Sequence, residues 1–287
     1  MTAQGNTLGI IAGSGTLPLA VAEAAQRDGR SVFVLALEGM ASPEDVSPFP
    51  HGWASLGEIG KAIRLLKQAG CSELTMAGKV PRPEFTKLKL DARGALALPR
   101  VIAAAMKGDD ALHRTMMLIF EKEGMRVIGP ADAARDLLAP LGSLGRLEPT
   151  QDDDADILQG IRVALALGAL DVGQAAVVCQ GFVLAVEAAE GTDAMLMRVA
   201  SLPEALRGTK DHRRGVLVKA AKPHQERRMD LPAIGVRTVE ILAEAGLSGV
   251  AIEGGGALIV GRNAVAATAD RAGVFVYGFA PEDYPRD

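Results

Sequence analysis

The stretch LGIIAGSGTLP, residues 8–18, decides the fold. Residues 8–12 are a short apolar run of strand character, Gly13-Ser14-Gly15 interrupts it, and Leu17 opens a helical pattern that reaches Arg27. A strand that turns through glycines straight into a helix is the first unit of a parallel α/β sheet, because parallel strands need a crossover between them. Glycines at such a turn let the backbone come close to a phosphate, and the first N–H groups of the helix point at the anion. Pro18 suits this first turn, where its missing N–H would have no intrahelical partner. It also occupies the place of the third glycine of the dinucleotide fingerprint. Three readings therefore stay open: a nicotinamide-cofactor site with Glu38 as its ribose acid, a phosphate- or nucleotide-binding turn, and a structural tight turn.

Outward from this turn the pattern repeats. Residues 31–37 (SVFVLAL) read as a buried strand, 56–68 as a helix closed by Gly70, and 73–77 as a third strand. Helices follow at 101–106 and 111–123, then a strand at 126–128. The alternation predicts a parallel sheet with helices on both faces. Strands resume at 175–178 and 182–186, paired around Gly181, and at 215–219; a helix at 234–245 stops at Gly246. Segments 250–253, 257–260 and 274–277 complete the strand set. Between the halves lies PLGSLGRLEPTQDDDAD, rich in Gly and Pro and then acidic, which has linker composition. The expected organisation is an N-terminal nucleotide-binding α/β domain over 1–140, a linker over 141–156, and a C-terminal α/β domain over 157–287. Charge supports the division: 16 basic and 15 acidic groups precede residue 141, and 15 basic and 20 acidic follow.

Composition narrows the function. The 287 residues carry a net charge of −4, and only 3% are aromatic, so stacking platforms and the basic footprint of nucleic-acid binders are missing. Cys71 and Cys179 show no pairing pattern and read as buried thiols of a reducing compartment. His51, His113, His212 and His224 are scattered, which argues against zinc. No apolar run approaches the roughly 18–20 residues of a membrane span, and the N-terminus lacks a basic signal-peptide region. A cytoplasmic protein is expected, with contact at a membrane surface left open.

Four further segments carry candidate chemistry. AGKVPRP (77–83) follows a strand, and Lys79 and Arg82 there are either phosphate clamps or solvated loop charges. In GDDALHR (108–114), one of Asp109 and Asp110 serves as cap to a helix beginning at Ala111. The other is free for a metal or a ribose hydroxyl, with Arg114 one turn on. VEAAEGTD (186–193) ends a strand with three carboxylates. GVLVK (215–219) leads into KPHQERRMDLP (222–232). Carboxylates beside lysines, without clustered histidines, suit Mg²⁺ on phosphates, or else a string of surface ion pairs. Asp230, before an apolar helix start, is an N-cap or a catalytic base.

Together, GIIAGSGTLP, AGKVPRP, GDDALHR, AVEAAEGTDAML, GVLVKAAKP and MDLPAIG resemble the LpxI family, the UDP-2,3-diacylglucosamine pyrophosphatases of Gram-negative lipid A biosynthesis, over about residues 8–279. The resemblance implies two α/β domains, the first Rossmann-like, with the substrate in the cleft between them and acyl-binding residues in the second. It implies Mg²⁺-assisted hydrolysis of a lipid-linked UDP-sugar to UMP and 2,3-diacylglucosamine 1-phosphate, with no organic cofactor. It places the enzyme in the cytoplasm at the inner-membrane face and allows a homodimer. Carried over residue by residue, Gly13, Ser14, Gly15, Leu17, Gly78, Lys79, Val80, Asp109, Asp110, Arg114, Thr192 and Gln225 would meet the nucleotide and substrate. Asp230, Lys219 and Lys222 would be catalytic, and Asp230, Glu187 and Asp193 would hold the metal. Glu226 departs from the family's aspartate at that position. From other classes, a NAD(P)-dependent oxidoreductase using the Gly13–Gly15 turn and a non-catalytic nucleotide-sugar binding module remain as alternatives.

Overall fold

The computed structural model describes residues 7–81, 83–223 and 231–283, apart from the side chain of Asp109. The chain divides after residue 136 into two compact units. The first runs β1 (Thr7–Ala12), α1 (Leu17–Arg27), β2 (Val32–Leu37), α2 (Pro43–Val46), β3 (His51–Ala54), α3 (Ile59–Gln68), β4 (Cys71–Ala77), α4 (Ala92–Ala105), α5 (Asp109–Glu121), β5 (Arg126–Val127) and α6 (Pro130–Ala133). Its five strands lie in the order β3-β2-β1-β4-β5, every pair parallel. Helices α3 and α5 share one core with the sheet, built from Leu35, Ile63, Leu66, Leu74, Met117 and Phe120. Apart from that core, α1 buries Val21, Ala22, Ala24 and Ala25.

The second unit runs β6 (Gly142–Ser143), α7 (Gln151–Ala169), β7 (Ala175–Cys179), β8 (Phe182–Val186), α8 (Gly191–Ala200), β9 (Val216–Lys219), β10 (Ala233–Ile234), α9 (Val236–Glu244), β11 (Gly249–Glu253), β12 (Leu258–Ile259), α10 (Arg262–Ala272) and β13 (Phe275–Phe279). Its main sheet has the order β6-β13-β11-β9-β7-β8. The central β13, β11 and β9 are parallel, and β6, β7 and β8 run antiparallel to their neighbours. Strand alternation sends Val216 and Val218 to the core under α7, where Ile157, Ile161 and Ala164 lie. Leu217 goes to the opposite core with Met195, Leu196, Val239 and Leu242.

The structure corrects several expectations. Residues 141–156 are not a free linker: β6 pairs with β13, and α7 already begins at Gln151. The acidic run is a helix start. Thr150 and Asp153 form a capping box, and Asp152, Asp153 and Asp154 occupy the first turn, where the dipole favours negative charge. The helix expected over 101–106 begins at Ala92 and passes through Pro99, whose presence masked its first half. Residue 234 lies in a strand, with α9 starting at Val236. The 257–260 segment pairs with β10 in a separate two-stranded sheet. Residues 191–200 and 262–272, left unassigned by the sequence reading, are helices α8 and α10.

Candidate functional site

In the first unit, the strand order reverses direction of growth at β1 and β4, and the loops after these two strands flank that point. Open α/β sheets bind ligands there, outside the carboxyl ends of the strands. The structure ties the two candidate loops to each other. The Ser14 N–H donates to the Lys79 carbonyl and the Lys79 N–H donates to the Ser14 carbonyl, both at 2.9 Å; Ser14 Oγ also donates to the Lys79 carbonyl at 3.0 Å. This explains two of the glycines without a ligand. A Cβ on Gly13 would stand 2.6 Å from the Lys79 carbonyl oxygen, and one on Gly78 2.7 Å from that of Ser14. Gly15 differs: its φ is +94° and nothing lies within 4 Å of its Cβ position. Gly15, Thr16, Lys79 and Val80 face solvent, with Leu17 half-buried at the start of α1. The exposed rim thus has open backbone and a lysine, which suits an anionic group.

The other first-unit candidates sit apart from this rim in role. Helix α5 begins at Asp109 itself, not at Ala111, and its N-cap is Gly108 with φ +122°. Asp110 lies within the first turn and pairs with Arg114 at 2.9 Å. The carboxylate of Glu38 accepts a bond from Ser55 Oγ and pairs with Lys61 at 3.6 Å.

The second unit places its candidates along one edge of the main sheet. Lys219 ends β9, Glu187 follows β8, and Glu253 ends β11; Lys219 pairs in register with Ala175 and with Ile252. A polar chain connects two of these. The Lys219 ammonium donates to Thr192 Oγ1 at 2.7 Å and to the Ala233 carbonyl at 3.2 Å. The Thr192 hydroxyl in turn donates to Glu187 Oε1 at 2.5 Å, while Glu187 Oε2 accepts the Gln174 N–H at 3.3 Å. Lys219 is 4% exposed, and Glu187 and Thr192 are also buried. A charged amine out of water is costly unless hydrogen-bonded and partnered, and here the hydroxyl relays it to a carboxylate. Thr192, expected to touch the nucleotide, is the bridge of this network.

Lys222 pairs with Asp171 at 2.7 Å. Asp193 pairs with Arg237 at 3.6 Å. Asp230 and Gln225 lie outside the described residues. Two residues escaped the sequence reading. Glu253, 3% exposed, accepts the Ala221 N–H at 3.0 Å. Its signal was present as an acid ending a parallel strand before three glycines. Asp156 accepts the N–H groups of Gln180 and Gly181 at 2.9 and 2.8 Å, and so holds the β7–β8 turn, where both residues have positive φ. Only packing in the fold reveals that role.

Among the described residues, no three His, Cys, Asp or Glu side chains are grouped to hold a metal. That arrangement still suits Mg²⁺, which is commonly held by one or two carboxylates together with substrate phosphates. Glu187 uses one bond on each oxygen and keeps lone pairs free on both.

Comparison with known proteins adds the lineage. Residues 7–137 match the model of the LpxI N-terminal domain and residues 140–277 that of the LpxI C-terminal domain. The UDP-2,3-diacylglucosamine pyrophosphatase LpxI of Caulobacter vibrioides is 48% identical over 278 residues, covering 97% of this chain and 99% of its own. Among solved structures, the CobK precorrin-6A reductase aligns at TM-score 0.33 and 12% identity, over 98% of this chain and 90% of that one. A UDP-glucose 4-epimerase from Thermus thermophilus, in complex with NAD, aligns at 0.32 and 12%, over 98% and 88%. Neither likeness is close enough to bear on chemistry.

Proposed function

The chain belongs to the LpxI family, and from that premise we propose that it hydrolyses the diphosphate of UDP-2,3-diacylglucosamine. The products are UMP and 2,3-diacylglucosamine 1-phosphate, and the step serves lipid A biosynthesis at the cytoplasmic face of the inner membrane. The observation that carries this reading is the near-complete match to the Caulobacter enzyme. The geometry supports it with an open glycine rim in the first unit and a buried cationic network in the second.

In this reading the rim of Gly13, Ser14 and Gly15, with Gly78, Lys79 and Val80, receives the nucleotide. Lys219 serves the phosphates. An ammonium has three donors, and among the described residues two are used, by Thr192 and Ala233, leaving one for a phosphoryl oxygen. Because both bonds are fixed within the fold, that donor is preorganised for charge that develops in the transition state. Lys222 adds positive charge, its ion pair with Asp171 holding it in place. Asp230, proposed from the family pattern alone, orients water or takes its proton as the phosphorus–oxygen bond breaks. Glu187 and Asp193, with Asp230, would hold Mg²⁺, which supplies neutralisation of the phosphoryl oxygens when bound.

Product analysis in H₂¹⁸O tests the proposal. The protein should release UMP and the sugar 1-phosphate in equal amounts, with one ¹⁸O between them. Asp230→Ala should abolish release while leaving the thermal melt unchanged, and EDTA should stop turnover until Mg²⁺ is restored. UDP binding without hydrolysis would favour a binding module instead.

A further inference from the structure

Helix α4 turns an apolar stripe to the solvent. Its exposed positions include Ala92, Ala95, Leu96 and Pro99, with Met106 at its C-cap. Spaced by three and four, they form one face, and Leu96 is 84% and Met106 79% exposed. Helices of globular proteins ordinarily put charge on that face. Here the charge lies on one flank: Arg93, Arg100 and Lys107, all exposed, recur every seventh residue, roughly 90° around the axis from the stripe. Arg93 pairs with Glu123, whereas Arg100 and Lys107 make no ion pair among the described residues. The preceding loop adds exposed Val80 and Leu90. Over residues 79–107 the sequence has seven basic side chains, Arg82 among them, and two acidic ones, a net +5 in a chain of net −4.

We propose that α4 is the surface by which the protein docks on an anionic lipid bilayer. Leu96 and Met106 enter the headgroup boundary, and Arg100 and Lys107 meet lipid phosphates. An apolar face rimmed by one row of cations is the pattern of an interfacial helix. The charge argues for lipid over a second copy of the chain, since a local excess of positive charge repels itself but is attracted to an anionic leaflet. The inference rests on the proposed lipid-linked substrate only for its use; binding can be measured without turnover.

The test is co-sedimentation of the full chain with phosphatidylcholine vesicles, with and without 30 mol% phosphatidylglycerol. Binding should require the anionic lipid and weaken with salt. Arg100→Glu with Lys107→Glu should lower partition by about tenfold or more, given roughly 1 kcal/mol per cation near such a surface. Leu96→Glu should lower it comparably, and each variant should keep wild-type turnover on detergent-dispersed substrate and an unchanged melt. Equal binding to neutral vesicles, no binding at all, or unchanged binding by the variants would overturn the proposal. So would a dimer in light scattering that Leu96→Glu splits, because a second copy would then cover the stripe. Vesicle binding by a wild-type protein that releases no UMP would instead overturn the hydrolase reading and leave the docking surface standing.

Discussion

Thr192 links a buried cation to a buried anion through one hydroxyl that accepts from Lys219 and donates to Glu187. Removing that hydroxyl leaves both charges short of a partner, and an orphaned buried group of this kind costs about 1–3 kcal/mol. Thr192→Val should therefore lower stability by that amount in urea titrations and cut kcat about tenfold to a hundredfold as Lys219 loses its orientation. Thr192→Ser should recover most of both; a valine variant with wild-type kcat would remove Thr192 from the network's function. Glu58 offers a pH-dependent counterpart in the first unit. The Ser55 N–H, then the ammonium groups of Lys89 and Lys61, hold its pKa down from 4.5 to about 2. A depressed folded pKa means stability that is fully present above pH 4.5 and lost as pH falls toward 2. Glu58→Gln should be less stable than wild type at pH 7, and the gap between their urea midpoints should narrow as pH falls toward 2. A constant gap would show that the ion pairs do not contribute.

Among elements, the junction of α3 and α4 depends on Asp91. Its Oδ1 accepts the Gly94 N–H at 2.8 Å and its Oδ2 accepts the Lys61 N–H at 2.9 Å, so one carboxylate satisfies the first turns of two helices. Asp91→Ala should cost about 1–3 kcal/mol, more than a single cap, and Asp91→Asn should keep part of it through its remaining carbonyl oxygen. An alanine variant with the wild-type urea midpoint would show that neither cap matters. The same logic of paired elements governs the β1 and β4 loops. Gly13 and Gly78 are glycines because the two loops touch, while Gly15 remains open to a ligand. The sequence suggested phosphate approach for Gly13 and Gly15 alike, since a glycine cannot announce what it approaches.

For the whole molecule, the choice is between a uridine nucleotide and a nicotinamide. A Rossmann-like first unit is compatible with both, so the fold does not decide. The proposed hydrolysis calls for the uridine nucleotide. UDP should raise the Tm of the protein and NADH and NADPH should not; stabilisation by either dinucleotide would revive the oxidoreductase. By itself the sequence determined the alternation of strand and helix, the glycine turn after β1, the β7–β8 hairpin around Gly181 and the set of charged segments at strand ends. These are local matters of periodicity, backbone freedom and residue chemistry, and six ordered motifs were enough to point to the family. Only the tertiary structure decided which polar groups meet. Thr192 and Lys219 are 27 residues apart, and Lys61 and Asp91 are 30 apart. Burial decided them too, because packing removed water from Glu253 and Asp156 and supplied their N–H partners. Side-chain partners are set by which strands become neighbours and which edges they share, and no local pattern encodes that.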